Sequence, residues 1–435
     1  MKLKAIAKEL IKPSSPTPNN LQTIQLSVVD HLCLPFYVAA VFFYHVEDGS
    51  MTEDTISQKL KNSLSETLTR FYPLAGQIEG VSIHCNDKGA VFTEARADST
   101  LSDFLRSLDL ASLEHFLPAI GSGESPASWP LLHVQVSFFR SGGMAITVCV
   151  SHKICDVASL VTFVRAWAAA TKGHADEVNP RFAESSIYPP ADSLHCPSVD
   201  GLFKDRGTCS MKRFVFDPSK IAELKRKATS DDVPDPSRVE AIATLIWRCA
   251  TKATRSNSTT KKASSMNQAM DLRLRIPSTE NAIGNLQTSF FLKEGPESEM
   301  EIGEVVTKFR NAKEEMEEMI RENLLAHGTT PTLGEKLINT TANTFLELRL
   351  EMDIYPVTSW CRKPFYEADF GWGRPAWVAP GSHTLYKNSA HVILMDTKEG
   401  EGVEAWVCLP EQDMSKFEHD EEILAYATPN PCFLI

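Results

Sequence analysis

The spacing of apolar residues along the first half of the chain predicts a helix and a buried strand. Apolar residues recur every four positions from Ile56 to Leu68, which indicates a helix over about residues 53–70 with Thr52 as its N-cap. The longest apolar run, near Leu32–Val46, is interrupted by a proline and is short for a membrane span. That run therefore favours a strand buried in a sheet.

Helices of the second half are predicted mainly by their start signals. Asp217-Pro218 and Asp235-Pro236 each precede an amphipathic stretch, and aspartate at the N-cap followed by proline is a frequent helix start. The charged stretch Glu301–Asn323 predicts a longer helix, and a terminal helix is predicted over about residues 410–426.

One β-hairpin followed by a helix is predicted in each half. The strand pairs are Leu132–Phe139 with Met144–Val150 and Ala390–Met395 with Val403–Cys408. The first hairpin leads into an apolar, alanine-rich helix over Val157–Ala170. The repetition indicates two lobes of related architecture, each a mixed β-sheet with flanking helices, and hence an α/β fold. The alternative is that the two hairpins are alike by chance.

The length of 435 residues also favours two lobes, because one hydrophobic core rarely grows that large. Residues 172–210 are proline-rich and show little periodicity, which is typical of a linker. We therefore predict an N-terminal lobe over 1–180, a crossover over 181–209 and a C-terminal lobe over 210–435.

Charge and cysteine usage narrow the class of protein. The net charge is −12, from 44 basic and 56 acidic residues, so nucleic acids and anionic membranes are poor partners. The ten cysteines are scattered without a CxxC pair, which favours free thiols in a reducing compartment. The N-terminus lacks the apolar core of a signal peptide. We expect a soluble, cytoplasmic, monomeric protein.

The leading chemical feature is His152-x-x-x-Asp156, at the junction of a predicted strand and an apolar helix. Imidazole is the natural general base near neutral pH, and a nearby carboxylate can orient it or instead fix the turn. Active groups in mixed α/β folds often lie at such strand ends. Alone the pattern is weak, because an ordinary structural His and Asp give the same spacing.

Two further segments add weight. Asp369-Phe370-Gly371-Trp372-Gly373 predicts a tight turn that tolerates few other side chains. In Asp271-Leu272-Arg273-Leu274-Arg275, strand alternation would put both arginines on one face. A basic pair there is either solvated or paired with a buried carboxylate such as Asp156.

Together these segments resemble the BAHD family of plant acyl-CoA-dependent acyltransferases over essentially the whole chain. The resemblance lies in Phe71–Gly76, His152–Asp156, Asp271–Arg275 with Gly284-Asn285, and the intact Asp369–Gly373 motif. Val157 stands where the family commonly has a glycine after the motif aspartate. The segment Ser151–Val157 is similar to that of the alkaloid-acetylating branch.

The resemblance implies a chloramphenicol acetyltransferase-like fold of two similar domains, with a tunnel between them. Acyl-CoA, most simply acetyl-CoA, would enter from one side as co-substrate, and a small-molecule acceptor from the other. His152 would be the catalytic base in mid-tunnel, acting without an acyl-enzyme. Asp156 would pair with Arg273 or Arg275 as structural support. Asp369 is expected mainly to hold architecture, with a direct catalytic role as the alternative.

Other roles follow from the chemistry that such a transfer needs. A tetrahedral oxyanion requires donors, for which Trp372 and Asn285 are candidates on the tunnel wall. CoA is strongly anionic, so the basic stretch with Lys252 and Arg255, continued by Lys261-Lys262, is a candidate phosphate contact. The simpler alternative for that stretch is a solvated helix end and loop.

Three alternatives stay open. In the first, Cys155 inside the motif acts as the nucleophile of a ping-pong transferase or a thioesterase. His152 and Asp156 would be metal ligands, although a clear third ligand is missing and we expect no metal and no bound cofactor. The protein would otherwise be a catalytically inactive relative that only binds CoA or a metabolite. Within the enzyme class, another short or branched acyl-CoA and a terpenoid or phenolic acceptor remain alternatives.

Overall fold

Two mixed β-sheets, each backed by its own hydrophobic core, form the body of the protein. The computed structural model describes residues 1–33, 35–46, 51–118, 129–182, 187–191, 207–328, 331–381 and 389–433. Within these ranges, no helix combines the length and apolar character needed to cross a bilayer.

The first sheet has six strands in the order β1-β6-β7-β8-β3-β13. Its strands are β1 (Leu3–Ile11), β3 (Tyr37–His45), β6 (Ala90–Thr100), β7 (Leu132–Arg140), β8 (Gly143–Ser151) and β13 (Trp377–Pro380). The β6–β7 pair is parallel and the other pairs are antiparallel. The predicted hairpin is the β7–β8 pair, and the apolar run near residue 40 is the buried strand β3, as predicted.

The second sheet has seven strands in the order β11-β10-β12-β14-β15-β9-β16. Its strands are β9 (Cys209–Phe216), β10 (Ala263–Asp271), β11 (Gln287–Glu294), β12 (Met352–Ser359), β14 (His391–Asp396), β15 (Val403–Pro410) and β16 (Thr428–Pro429). The β14–β15 pair is the second predicted hairpin. Parallel β10–β12 and β12–β14 pairs make this sheet mixed as well.

Helices pack against both sheets. They are α1 (Val28–Leu32), α2 (Glu53–Arg70), α3 (Leu101–Ser107), α4 (Val157–Thr171), α5 (Pro218–Lys227), α6 (Arg238–Asn257), α7 (Ile302–His327), α8 (Pro331–Glu351), α9 (Glu411–Phe417) and α10 (Glu421–Leu424). A small third sheet joins β2 (Thr23–Gln25), β4 (Gln77–Glu79) and β5 (Ser82–His84).

Several helix boundaries differ from prediction for local reasons. The helix expected after Asp235-Pro236 begins later, because Ser237 is its N-cap and forms a capping box with Glu240. The predicted terminal helix is two short helices, α9 and α10, with Asp420 capping the second. By contrast, Thr52 caps α2 as predicted, accepting a hydrogen bond from the Thr55 amide.

The chain does not divide between lobes as predicted, because the Asp369–Gly373 segment packs on the first lobe. The Phe370 ring lies edge-on to Trp167 at 4.8 Å between centroids, and Tyr44 donates a hydrogen bond to the Ala368 carbonyl at 2.7 Å. Strand β13 then pairs with β3 in the first sheet. Aromatic burial therefore draws this part of the second half onto the first core.

The predicted crossover over 181–209 lies partly outside the described residues. In its described part at 187–191, Ile187, Tyr188 and Ala191 are buried, and the Tyr188 hydroxyl donates to the Gln287 carbonyl at 2.7 Å. This part of the crossover is thus packed into the second lobe.

Candidate active site

His152 lies in the turn between β8 and α4, where the sequence pattern placed it. Its amide donates to the Phe36 carbonyl at 2.8 Å, which ties the turn to the segment entering β3. The imidazole meets the Phe36 ring edge-on, with centroids 4.8 Å apart. These contacts fix the backbone and one face of the ring before any substrate is present.

The imidazole lines a cavity of about 370 Å³ between the two sheets. The N-terminal part of the chain contributes a mainly apolar wall, with Phe36, Val38 and Val157 from the first core and Val29 and Leu32 of α1 packed against the second core. The second lobe contributes amides, hydroxyls and an imidazole, including Asn267, Gln287, Thr288, Thr358 and His391. The volume is within the range of small-molecule sites.

Burial controls the ionisation of His152. Desolvation lowers the pKa of the imidazole below its usual value, while the charge of Asp156 and the Asn285 side chain act in the opposite direction. The net lowering keeps the ring neutral at pH 7. Its Nδ1 is sealed from solvent, so Nε2 is the nitrogen that can meet a molecule in the cavity.

Asp156 caps helix α4 and turns away from His152. Its Oδ1 accepts from the amide and the hydroxyl of Ser159, each at 2.9 Å. Its Oδ2 accepts from Arg273 at 2.7 Å and from the Leu286 amide at 3.2 Å. With four donors, this buried carboxylate holds the second lobe against the start of α4 and is not an orienting partner of the imidazole.

Of the two candidate arginines, Arg273 makes the contact with Asp156. The expectation of a shared strand face was wrong, because β10 ends at Asp271 and Leu272–Leu274 forms a 3-10 turn. Arg275 points elsewhere: its Nε donates to Glu317 at 3.0 Å and its Nη1 to the Asp271 carbonyl at 2.8 Å. Arg275 therefore supports α7 and not Asp156.

Asp369 organises its own turn. Its Oδ1 accepts from the amides of Gly371 and Gly373 at 2.8 and 3.0 Å, and both glycines adopt positive φ near 100°. Burial alone would raise the pKa of Asp369, but the hydrogen bonds from the two glycine amides and the charge of Lys172 lower it. Asp369 is not among the described residues that line the cavity, and a direct catalytic role for it stays a prediction.

The candidate oxyanion donors are placed differently from expectation. The Trp372 indole stacks on Phe370 at 5.8 Å and lies edge-on to Tyr44, away from the cavity walls that are described. The oxyanion role of Trp372 therefore gains no support from its position and stays a prediction. Asn285 is fully buried beside the site and donates from Nδ2 to the backbone carbonyl of His152 at 2.7 Å. That amide serves the protein and not an oxyanion in the cavity.

The predicted phosphate contacts are already engaged within the protein. Lys252 forms an ion pair with Asp420 at 2.7 Å, although its side chain stays exposed. Arg255 donates to the carbonyls of Gly295 and Ser298 at 2.6 and 2.8 Å. These bonds stabilise the loop before α7, and a role in binding CoA phosphates stays a prediction.

The cysteine alternative finds little support in the geometry. Cys155 is buried in the core of the first lobe and is not among the described cavity residues. Cys33 does line the cavity, but burial raises the pKa of its thiol far above the usual value. Neither thiol has the environment of an activated nucleophile.

Sequence reasoning missed Asp30, Tyr188 and His391. Asp30 forms a capping box with Ser27 at the start of α1, and the Ser-x-x-Asp spacing was a signal that could have located it. His391 begins β14, and burial lowers the pKa of its imidazole to about 4. Nothing in the local sequence distinguishes His391 or Tyr188 from ordinary core residues.

Known proteins resemble the chain over its full length. A profile of the Transferase family matches residues 1–424. The chain is 54% identical to BAHD acyltransferase BIA1 of Arabidopsis thaliana, covering 99% of this chain and 98% of the relative. It is 35% identical to stemmadenine O-acetyltransferase of Catharanthus roseus, with 96% of each chain covered.

Solved structures share the fold. The crystal structure of vinorine synthase superposes with a TM-score of 0.80 and 32% identity, covering 98% of both chains. The crystal structure of F. graminearum TRI101 complexed with coenzyme A and T-2 mycotoxin gives a TM-score of 0.72 at 20% identity, covering 94% of this chain and 99% of that one. The second likeness concerns the fold alone.

Proposed function

Because the chain belongs to the BAHD family of acyltransferases, we propose that it transfers an acyl group from acyl-CoA to a hydroxyl of a plant specialised metabolite, with His152 as general base. Acetyl-CoA is the donor we propose and an alkaloid the acceptor type. The names of the relatives above support O-acetyl transfer, and the coenzyme A bound by TRI101 supports the donor class.

The observation that carries this proposal is the position of the His152 imidazole. The imidazole is neutral at pH 7 and lines a cavity to which both lobes contribute. Its Nδ1 is sealed from solvent, which leaves Nε2 as the nitrogen that can meet a molecule in the cavity. Since one chain supplies both walls, a monomer is sufficient for the proposed reaction.

In the proposed reaction, Nε2 of His152 removes the hydroxyl proton as the acceptor oxygen attacks the thioester carbonyl. The tetrahedral intermediate collapses, the C–S bond breaks, and the imidazolium returns its proton to the CoA thiolate. General-base help contributes roughly 10²–10⁴-fold, and positioning of both substrates adds to it. The apolar part of the cavity wall would favour transfer over hydrolysis by limiting water.

The experiment is incubation of the protein with plant metabolite extracts and several acyl-CoAs, with the products identified by mass. We expect an acceptor that becomes one acetyl group heavier as CoA is released. A larger acyl group or a terpenoid or phenolic product would correct the donor or acceptor. CoA release without any acylated product would indicate a thioesterase and contradict the proposal, as would the absence of turnover.

A further inference from the structure

The buried side chain of Asn285 has one possible orientation. Its Nδ2 donates one proton to Oδ1 of Asp30 and the other to the carbonyl oxygen of His152, both at 2.7 Å. Neither acceptor can donate in return when Asp30 is ionised, so exchanging the amide nitrogen and oxygen would lose both bonds. The Asn285 Oδ1 must therefore face the other way.

Asp30 anchors this orientation. Asp30 is 3% exposed. Its Oδ1 also accepts from the backbone N–H of Asn285 at 3.3 Å, and its Oδ2 accepts from the Ser27 hydroxyl at 2.6 Å. Because Ser27 and Asp30 form the capping box of α1, and Val28 of α1 is buried in the second core, the anchor belongs to the second lobe. The amide of Asn285, from the second lobe, is thus held at a defined angle beside His152.

Two polar atoms remain without partners at this point. Oδ1 of Asn285 and Nδ1 of His152 are both buried and make no hydrogen bond of full geometry among the described residues, although the Asn285 side chain and the backbone of His152 itself both act on the imidazole. One can only accept and the other can carry a proton, and their residues are already joined through the His152 carbonyl. A buried pair of this kind is costly to leave unbonded.

Asp156 cannot fill this role. Both of its carboxylate oxygens already accept hydrogen bonds: one accepts from Ser159, and the other from Arg273 and Leu286. Asp156 therefore does not act as the carboxylate that orients the imidazole in a catalytic triad.

We propose that Asn285 is the positioning residue for His152: in the working enzyme the Nδ1–H of the imidazole donates to Oδ1 of Asn285. This bond holds the neutral ring as the Nδ1–H tautomer and leaves the lone pair on Nε2, facing the cavity. The inference rests on the proposed function, in which Nε2 takes the acceptor proton. It assigns the ring orientation to a neutral amide shared between the lobes.

The first test compares Asn285→Ala with Asn267→Ala, which removes another amide from the same cavity region. The rates kcat and kcat/KM are measured from about pH 4.5 to 8.5, across the range in which imidazole titrates. Loss of Asn285 lowers the plateau of kcat on the order of tenfold, the equivalent of one neutral hydrogen bond. The KM for acyl-CoA stays unchanged.

The acid limb of the pH profile distinguishes positioning from general damage. The Asn285 side chain raises the pKa of His152, so its removal moves the acid limb to lower pH. In Asn267→Ala the limb stays where it is in the wild type. An Asn285→Ala enzyme whose acid limb coincides with that of the wild type would overturn the proposal.

A second measurement needs no folded variant at position 285. The wild-type protein is labelled with ¹⁵N-histidine, and the His152 signals are assigned as those missing from His152→Ala. We expect the chemical shifts of a neutral ring protonated at Nδ1. A ring protonated at Nε2 in an active enzyme would refute the positioning role alone, whereas wild-type turnover by His152→Ala would refute the proposed base.

Discussion

Replacing Asp156 with asparagine removes a charge without changing the shape of the side chain. Asp156 is buried and accepts four hydrogen bonds, two on each oxygen. The NH2 group of the new asparagine can point toward Ser159 or toward Arg273. In either orientation its N–H groups face groups that also donate hydrogen bonds. The guanidinium of Arg273, itself buried, also loses its closest counter-charge.

The cost follows from the other partners of Arg273. Removing one member of a buried ion pair costs about 3–5 kcal/mol. Asp271 lies 3.3 Å from the guanidinium, and the carbonyls of Ala282 and Gly284 accept from it at 2.9 and 3.0 Å. These partners place the expected loss at the lower end, about 3 kcal/mol, or roughly 100-fold in the unfolding equilibrium.

Urea denaturation followed by tryptophan fluorescence measures this loss. Asp232→Asn, in the exposed turn between α5 and α6, is the matched control and should change stability by less than about 0.5 kcal/mol. A double-mutant cycle with Arg273→Met should give a coupling energy of about 2 kcal/mol, because removing both members leaves no unpaired charge.

The reasoning predicts that Asp156→Asn loses stability before it loses chemistry. Turnover per folded molecule should stay close to that of the wild type under conditions in which the variant is folded. An Asp156→Asn protein with the wild-type urea midpoint and no turnover would refute the structural role and place Asp156 in the chemistry.

Two further predictions concern groups around the site. Cys155→Ala should retain most turnover, because the thiol is buried in the first core; a strong loss together with an acyl-cysteine detected by mass spectrometry would contradict this. Burial holds the pKa of His391 near 4, below the value of about 6.5 in the unfolded chain, so the unfolded state binds this proton first as the pH falls. Stability from this residue is present above pH ~6.5 and is lost toward pH 4, by about 3 kcal/mol. His391→Gln should therefore flatten the dependence of the urea midpoint on pH over that range, and an unchanged slope would show that His391 is not the group responsible.

The sequence was informative wherever a local rule decides the structure. The spacing from Ile56 to Leu68 located α2, and the strand before His152 followed from β-rich residues around a glycine turn. The contact between Asp156 and an arginine was also expected, but the choice of Arg273 depended on where β10 ends. A capping aspartate, Asp271, ends the strand there and turns Arg275 away.

Long-range packing explains what the sequence did not show. The segment around Phe370 joins the first lobe because it finds aromatic partners such as Trp167, which lies about 200 residues earlier in the chain. Asp30 reaches Asn285 across 255 positions, and His391 enters the cavity only because β14 lies near the centre of its sheet. Such contacts depend on topology, which local patterns do not encode.

The most direct measurement for the account is the turnover of His152→Ala with acetyl-CoA and an acceptor identified by product mass. Binding of CoA by calorimetry serves as the control that the cavity is intact. If the imidazole takes the acceptor proton, the variant binds CoA as the wild type does and loses roughly 10²–10⁴-fold in kcat. Turnover at the wild-type rate would contradict the general-base role.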